Sequence, residues 1–224
     1  MVEGFILKFW FSSSHINIAF HAGDNTQEEI LENRKNSLKM GYTLKNLAYL
    51  NQIHSSKIIR ANKGGFLGDG DGILIDKKGI VGMIMVADCN PVLLFDTQKE
   101  VLVMLHAGRV GIESGIVLEG LRILKKQYQS LMENISVLIG PSIRSCCYEV
   151  GEEVFRDDTL LKGKTIKENK IYLDLLVVLK GQLQQKGVQD KNIAINPTCT
   201  CCSLEYFSYR RDKHCGRFGL FAAL

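Results

Sequence analysis

At 224 residues, with 46% hydrophobic and 23% charged side chains, the chain can bury a substantial core and is expected to form one domain. Its 28 basic and 24 acidic residues leave a net charge of +4, too mild and too scattered for a nucleic-acid partner, though compatible with an acidic small molecule. Seven cysteines without a secretory signal point to reduced thiols in a cytoplasm, and no apolar run approaches the roughly 18 residues of a transmembrane helix.

Phe5 to Phe11 is predicted as a first strand. Thr26 and Glu29 make a Thr-x-x-Glu capping box ahead of Gly41, which predicts a helix over 26–40. Strands are expected near 47–53, 72–75, 80–86, 92–95 and 101–105, with the glycine-rich segments Gly64-Gly65 and Gly68-Asp69-Gly70-Asp71-Gly72 as loop. Ile112, Ile116, Leu121, Leu124 and Tyr128 recur near helical spacing and predict a helix over 112–128 despite Gly115 and Gly120. A strand over 135–139, a helix between Asp174 and Gly187, and short strands at Ile193–Ile195 and Tyr206–Tyr209 complete a mixed α and β pattern.

The strands leading into His106-Ala107-Gly108 form a hairpin around the polar turn Thr97 to Lys99. If Phe95 pairs with Val101, Asn90 falls opposite His106 and Cys89 lies roughly 5–7 Å away across the ladder. A thiol beside an imidazole suits a zinc site, or a nucleophile and its base, or simply a buried thiol next to a rim histidine. His54 ends another apolar segment, Leu47 to Ile53, but spacing alone does not bring it to the pair.

Five blocks occur in order: Gln52-Ile53-His54, Ala87-Asp88-Cys89-Asn90-Pro91-Val92-Leu93-Leu94, His106-Ala107-Gly108, Gly140-Pro141-Ser142-Ile143 with Cys146-Cys147-Tyr148-Glu149-Val150-Gly151, and Phe207-Ser208-Tyr209-Arg210-Arg211-Asp212. In these the chain resembles the multicopper polyphenol oxidase (laccase) domain family, also called the YfiH family, from near residue 17 to the C-terminus. The resemblance implies a single α+β domain over 1–224, built as a four-layer αββα sandwich with mixed sheets. It also implies a zinc site at His54, Cys89 and His106, and phosphorolysis of purine nucleosides together with adenosine deamination. Three protein ligands leave a fourth position open, as in catalytic zinc sites, where the pKa of a bound water falls to about 7. The partners implied are a purine nucleoside and phosphate. Nothing in the sequence chooses among adenosine, inosine and methylthioadenosine or sets an oligomeric state.

Asp88 is a candidate to orient a ligating histidine or relay a proton, or else a strand-end aspartate bonded to backbone. Arg210 and Arg211 are candidates to clamp phosphate, although strand alternation would let at most one enter a pocket. His21, in Phe20-His21-Ala22-Gly23-Asp24, matches a further family block and reads as a pocket or a loop histidine. Where family members commonly read His-Ala-Gly-Trp-Arg-Gly, this chain has His106-Ala107-Gly108-Arg109-Val110-Gly111, so Arg109 stands one place early and is expected to keep an anion-binding role. Cys146-Cys147 and the trio Cys199, Cys201, Cys202 lack the paired C-x₂-C spacing of a structural zinc site and are expected as buried thiols.

Two alternatives stand beside the nucleoside enzyme: a cysteine hydrolase with Cys89 as nucleophile and His106 as base, and a zinc-stabilised module that binds without turnover. Polyphenol oxidase activity ranks low and copper ranks behind zinc, because several copper centres draw heavily on imidazole and the chain has five histidines, two of them His15 and His214. Copper-loaded protein is expected to oxidise phenolic dyes negligibly compared with its nucleoside turnover, which a side-by-side rate measurement checks.

Overall fold

The structure, a computed structural model, describes residues 7–12, 16–156 and 158–224. Strand β1 (Lys8–Phe11) carries the later part of the strand expected at Phe5–Phe11, whereas Phe5, Ile6 and His15 lie outside the described residues. The capping box at Thr26 and Glu29 forms in both directions and starts helix α1 (Gln27–Ser37). That helix ends three residues before the expected Met40, since the Trp10 indole N–H takes the Ser37 carbonyl at 2.8 Å and Leu38 is already extended.

Strands β2 (Leu47–Asn51), β3 (Ile58–Arg60), β4 (Gly65–Asp69), β5 (Gly72–Ile75), β6 (Val81–Val86), β7 (Asn90–Asp96) and β8 (Val101–Ala107) follow. Helices α2 (Arg109–Glu113) and α3 (Ile116–Tyr128), then β9 (Ile135–Ile139), β10 (Glu149–Val150), β11 (Lys164–Lys167) and β12 (Lys170–Leu173), lead to α4 (Leu175–Gln185). Strand β13 (Ile193–Ile195), the short helix α5 (Tyr209–Asp212) and β14 (Phe218–Ala223) close the chain.

Several expectations are corrected. Part of the glycine-rich stretch is strand, because Gly65 and Gly68 adopt the positive φ that lets β4 lie along β2. The single helix expected over 112–128 is two, broken where Gly115 turns left-handed at φ 76°. Tyr206–Tyr209 is not a strand: the Ser208 hydroxyl accepts the Arg211 N–H and starts α5 instead.

Two mixed sheets organise the domain, one of five strands in the order β1-β14-β6-β2-β4 and one of six in the order β13-β9-β7-β8-β5-β3. Alternate residues of β8 serve opposite faces of its sheet: Val101, Val103 and Leu105 meet Val117, Leu121 and Leu124 of α3 and Leu179 of α4, while Leu102 and Met104 meet Ile84 and Leu220 of the other sheet. Covering on both faces is why this strand reads as a continuous apolar run. The outer face of the five-stranded sheet carries Leu47, Met83 and Phe221 against Trp10 and Ile18, with Arg34 of α1 bonded to the Ile18 carbonyl at 2.8 Å. Helices, sheet, sheet and α1 are the four layers of the expected α+β sandwich.

The β7–β8 hairpin forms one residue out of the expected register. Asp96 pairs with Val101 and Pro91 with His106, because the Asp96 carboxylate accepts the N–H groups of Gln98 and Lys99 and tightens the turn. Alternation along β8 puts His106 on the face of Leu102 and Met104, at the end of the seam between the sheets. Among the described residues, no helix is long and apolar enough to cross a membrane.

Candidate functional site

Three segments meet where β8 ends. His106 is its penultimate residue, Cys89 sits in the turn just before β7, and His54 lies in the loop after β2. Their donor atoms all fall within 4.8 Å of one another, with Cys89 Sγ 3.9 Å from His54 Nε2 and the two imidazole rings edge to face at 4.7 Å. His54 is exposed, Cys89 half-buried and His106 buried, so the cluster opens on one side only.

The group that sets this geometry is Asp71, fully buried in the bend just before β5, in the segment read from the sequence as loop. Its carboxylate lies 2.8 Å from His106 Nδ1, which leaves Nε2 of that ring for the cluster. The same carboxylate accepts the N–H of His54 at 2.9 Å, the N–H and hydroxyl of Ser55 at 2.6 and 2.7 Å, and the N–H of Ile53 at 3.3 Å. These bonds hold His54 in a left-handed conformation at φ 60°, which costs a non-glycine residue about 1–3 kcal/mol. Burial works against the Asp71 charge, but His106 and Ser55 outweigh it and hold the carboxyl down at about 2.

Burial alone would lower the His106 imidazole, yet the Cys89 sulfur and the Asp71 carboxylate push it up to about 9. Against the same burial, His106 and His54 draw the Cys89 thiol down to about 6. The cluster therefore favours a thiolate under a positive charge, and a divalent cation is the other way to meet that demand. The donor set of one thiolate and two imidazoles fits zinc, with room for a fourth ligand. Gly108 completes the cradle: a Cβ there would lie 2.7 Å from Cys89 Sγ and 3.1 Å from His54 Cδ2.

A cavity of about 510 Å³ opens over the cluster, bordered by His21, Asp88, Arg109, Tyr148, Arg210, Lys213 and Arg217 among others. That volume is typical of small-molecule sites. Gln52 fixes one wall by exchanging two hydrogen bonds with the Met85 backbone, at 2.7 and 2.8 Å. His21 borders the cavity, its pKa lowered by burial and then by Arg217, Arg34 and His106.

Asp88, left-handed at φ 89°, turns its carboxylate to the Thr200 hydroxyl at 2.7 Å and the Arg210 N–H at 2.6 Å. It thereby anchors the start of α5, while the carboxylate on His106 is that of Asp71. Arg210 faces the cavity over the Tyr148 ring, with its guanidinium on the Glu149 carbonyl at 2.7 Å. Arg211 points away, binding the carbonyls of Thr200, Ser203 and Tyr206. Only one of the pair borders the cavity, as expected, but the divergence arises in a helical turn rather than a strand. Arg109 borders the cavity and forms an i,i+4 ion pair with Glu113 at 2.7 Å.

Sequence reasoning missed Asp71, Tyr148, Lys213 and Arg217. For Asp71 a signal exists in its flanking glycines, because a Cβ on Gly72 would meet Ile58 at 2.6 Å and one on Gly70 the Lys57 carbonyl at 3.1 Å. Close packing of β5 against the loop that carries His54 requires both positions to be bare.

A family model described as multi-copper polyphenol oxidoreductase laccase matches residues 8–224. A purine nucleoside phosphorylase of Clostridium acetobutylicum is 36% identical over 222 residues, covering 96% of this chain and 90% of that protein. One of Corynebacterium glutamicum is 30% identical over 208 residues, covering 90% and 83%. The crystal structure of the hypothetical protein YfiH of Bacillus licheniformis superposes with a TM-score of 0.91 at 26% identity, covering 97% of this chain and 92% of that one.

Asp71→Asn removes the charge that pairs with His106. The folded carboxyl titrates at about 2, below the unfolded value of about 3.9, so its contribution of about 2–3 kcal/mol is present at neutral pH and lost as pH falls from about 4 to 2. Urea unfolding of wild type and variant is expected to differ by that amount at pH 7 and to converge toward pH 2. Zinc affinity of the variant, measured by competition with a chelating dye, is expected to fall about 10–100-fold.

Proposed function

Because the chain belongs to the multi-copper polyphenol oxidoreductase laccase family, we propose that it is a zinc-dependent purine nucleoside phosphorylase that also deaminates adenosine. The observation that carries the reading is a three-donor cluster, His54, Cys89 and His106, opening into a cationic cavity of about 510 Å³. Relatives at 36% and 30% identity bear the name purine nucleoside phosphorylase, and both align over most of their length. When bound, zinc supplies Lewis acidity at its open fourth position.

In phosphorolysis a phosphate oxygen forms a bond to the ribose anomeric carbon, the bond from that carbon to the purine nitrogen breaks, and the departing base takes up a proton. The side chains have to hold the phosphate anion and steady the positive charge that develops on the sugar. Arg109, Arg210, Lys213 and Arg217 border the cavity, and the last three form no salt bridge among the described residues. They supply the anion clamp, with Arg210 kept in place by Asp88 through the backbone. His21, whose pKa lies below the usual imidazole range, suits a hydrogen bond to the nucleoside rather than a charge. Reduced thiols at the cluster fit a cytoplasmic setting.

A cysteine hydrolase remains the second reading, favoured by one observation, the Cys89 sulfur within 4.8 Å of the ring nitrogens of His54 and His106. The deciding experiment incubates metal-replete and metal-stripped protein with adenosine and phosphate and resolves adenine, inosine and ribose-1-phosphate by chromatography. Phosphate-dependent adenine release that is lost with the metal supports the phosphorylase, and inosine without phosphate supports the deaminase. Turnover that survives metal removal and stops on alkylation of Cys89 overturns both.

Arg109→Ala tests the anion clamp. The expected outcome is a higher phosphate requirement at unchanged zinc content, with the KM for phosphate rising about tenfold for loss of a charged contact worth about 1.4 kcal/mol. An unchanged phosphate dependence assigns the anion to Arg210, Lys213 or Arg217.

A further inference from the structure

Four of the six cysteines outside the cavity gather into one cluster. Cys146 and Cys147 lie in the turn after β9, where the N–H groups of Cys147 and Tyr148 both donate to the Arg144 carbonyl at 3.0 Å. Cys199 and Cys202 lie in a second turn, closed by Ser203 N–H on the Cys199 carbonyl at 3.0 Å; they form a single C-x₂-C, matched by the adjacent pair Cys146-Cys147 instead of a second one. A parallel bridge between Ser142 and Cys199 brings the two turns together, reinforced by Thr200 N–H on the Ser142 carbonyl at 3.1 Å. The thiols of Cys146 and Cys202 are exposed, so the expectation of buried thiols does not hold for them.

The sulfurs of Cys146, Cys147, Cys199 and Cys202 all lie within 4.8 Å of one another. Three of their separations are 3.7 Å for Cys146–Cys147, 3.7 Å for Cys146–Cys202 and 3.3 Å for Cys147–Cys202. Zinc at its usual sulfur distance of about 2.3 Å places tetrahedral thiolates about 3.8 Å apart. The sulfurs thus already stand near the corners such an ion requires.

We propose that Cys146, Cys147, Cys199 and Cys202 form a second metal site, a closed four-thiolate zinc centre that clasps the turn leading to Tyr148 onto the turn carrying Thr200. The surroundings suit a negatively charged centre. The N–H groups of Cys202, Arg144 and Cys201 point at the Cys199 sulfur. Arg144 stands beside the cluster with its guanidinium on the Gly140 and Asn196 carbonyls, and Arg211 gathers the carbonyls of Thr200, Cys201 and Ser203. Binding exchanges the thiol protons for one zinc ion and needs no oxidant.

A disulfide is the competing use of these thiols. It joins two sulfurs at about 2.05 Å and leaves the other two unpartnered, whereas Cys202 stands almost equally near Cys146 and Cys147. Four soft donors with no open position make a structural rather than a catalytic centre. Its leverage on the cavity runs through Tyr148, next to Cys147, and through the Thr200 hydroxyl on Asp88, which holds Arg210.

The experiment measures zinc and iron by elemental analysis in the full chain, purified under reducing conditions without added metal, and repeats it for two double variants. Wild type is expected to hold two zinc ions per chain, Cys146→Ser with Cys202→Ser one, and His54→Ala with His106→Ala one. Retention by the histidine variant isolates this site from the cluster in the cavity, so each assignment fails separately. Cobalt added to that variant is expected to give the strong thiolate charge-transfer absorption of four sulfurs, and zinc added to stripped wild-type protein should slow alkylation of the four mapped cysteines, a readout that holds if the serine variant does not fold. A histidine variant free of zinc, iron in place of zinc, a Cys147–Cys202 disulfide in the reduced preparation, or alkylation indifferent to zinc would overturn the proposal.

Discussion

One buried carboxylate organises the site. Asp71 carries a charge at zero exposure, and taking an ion out of water costs several kcal/mol unless partners replace its hydration. Its partners come from two places distant in sequence, the loop 53–55 and the end of β8, so replacing that hydration also draws His54 and His106 together. The backbone repeats the linkage, with His106 N–H on the Asp71 carbonyl at 2.8 Å and Asp71 N–H on the Lys57 carbonyl at 2.9 Å. Tautomer, ring orientation and the left-handed turn at His54 all follow from satisfying this one group.

The sandwich explains why such a group sits where it does. Along β8 the even-numbered side chains Leu102 and Met104 fill the space between the sheets, and His106 continues their row just as the strand ends. The imidazole therefore has an apolar core behind it and the cavity in front. Low polarity behind strengthens the interactions of Asp71 with His106 and of His106 with Cys89, while the open side leaves His54 exposed to whatever enters. Gly108, the next turn of the chain, keeps that opening clear of a side chain.

Much of this was legible in the sequence, for physical reasons that can be separated. The hairpin could be read because both of its faces are buried, which gives two uninterrupted apolar runs around a polar turn. Its register could not, because an aspartate at the strand end captures two backbone N–H groups and shortens the loop by one residue. Cys89 and His106 are neighbours through local pairing, whereas His54 joins them only through Asp71, a long-range bond with no sequence period. Resemblance to a family supplied what periodicity lacks there. The four-thiolate cluster escaped for a related reason: Cys199 and Cys202 carry a single C-x₂-C, its partner is the adjacent pair Cys146-Cys147 rather than a second C-x₂-C, and only the bridge between Ser142 and Cys199 assembles the two turns.

Arg109 shows how charge is distributed around the cluster of His54, Cys89 and His106. Arg109 begins α2, and four residues later Glu113 offers it a carboxylate at 2.7 Å, so part of its charge is neutralised within its own helix. The pair is one-third exposed on the arginine side, hence weak, and a doubly charged anion would compete well for the guanidinium. Across the cavity Arg210 and Lys213 lie against the rings of Tyr148 and Tyr209, contacts that fix their position without cancelling their charge. An anion entering between them meets one cation that must leave a carboxylate and others that need not. The α5 side of the cavity is therefore the stronger electrostatic pole, and its orientation depends on Asp88, whose carboxylate is spent on the Thr200 hydroxyl and the Arg210 backbone rather than on a histidine.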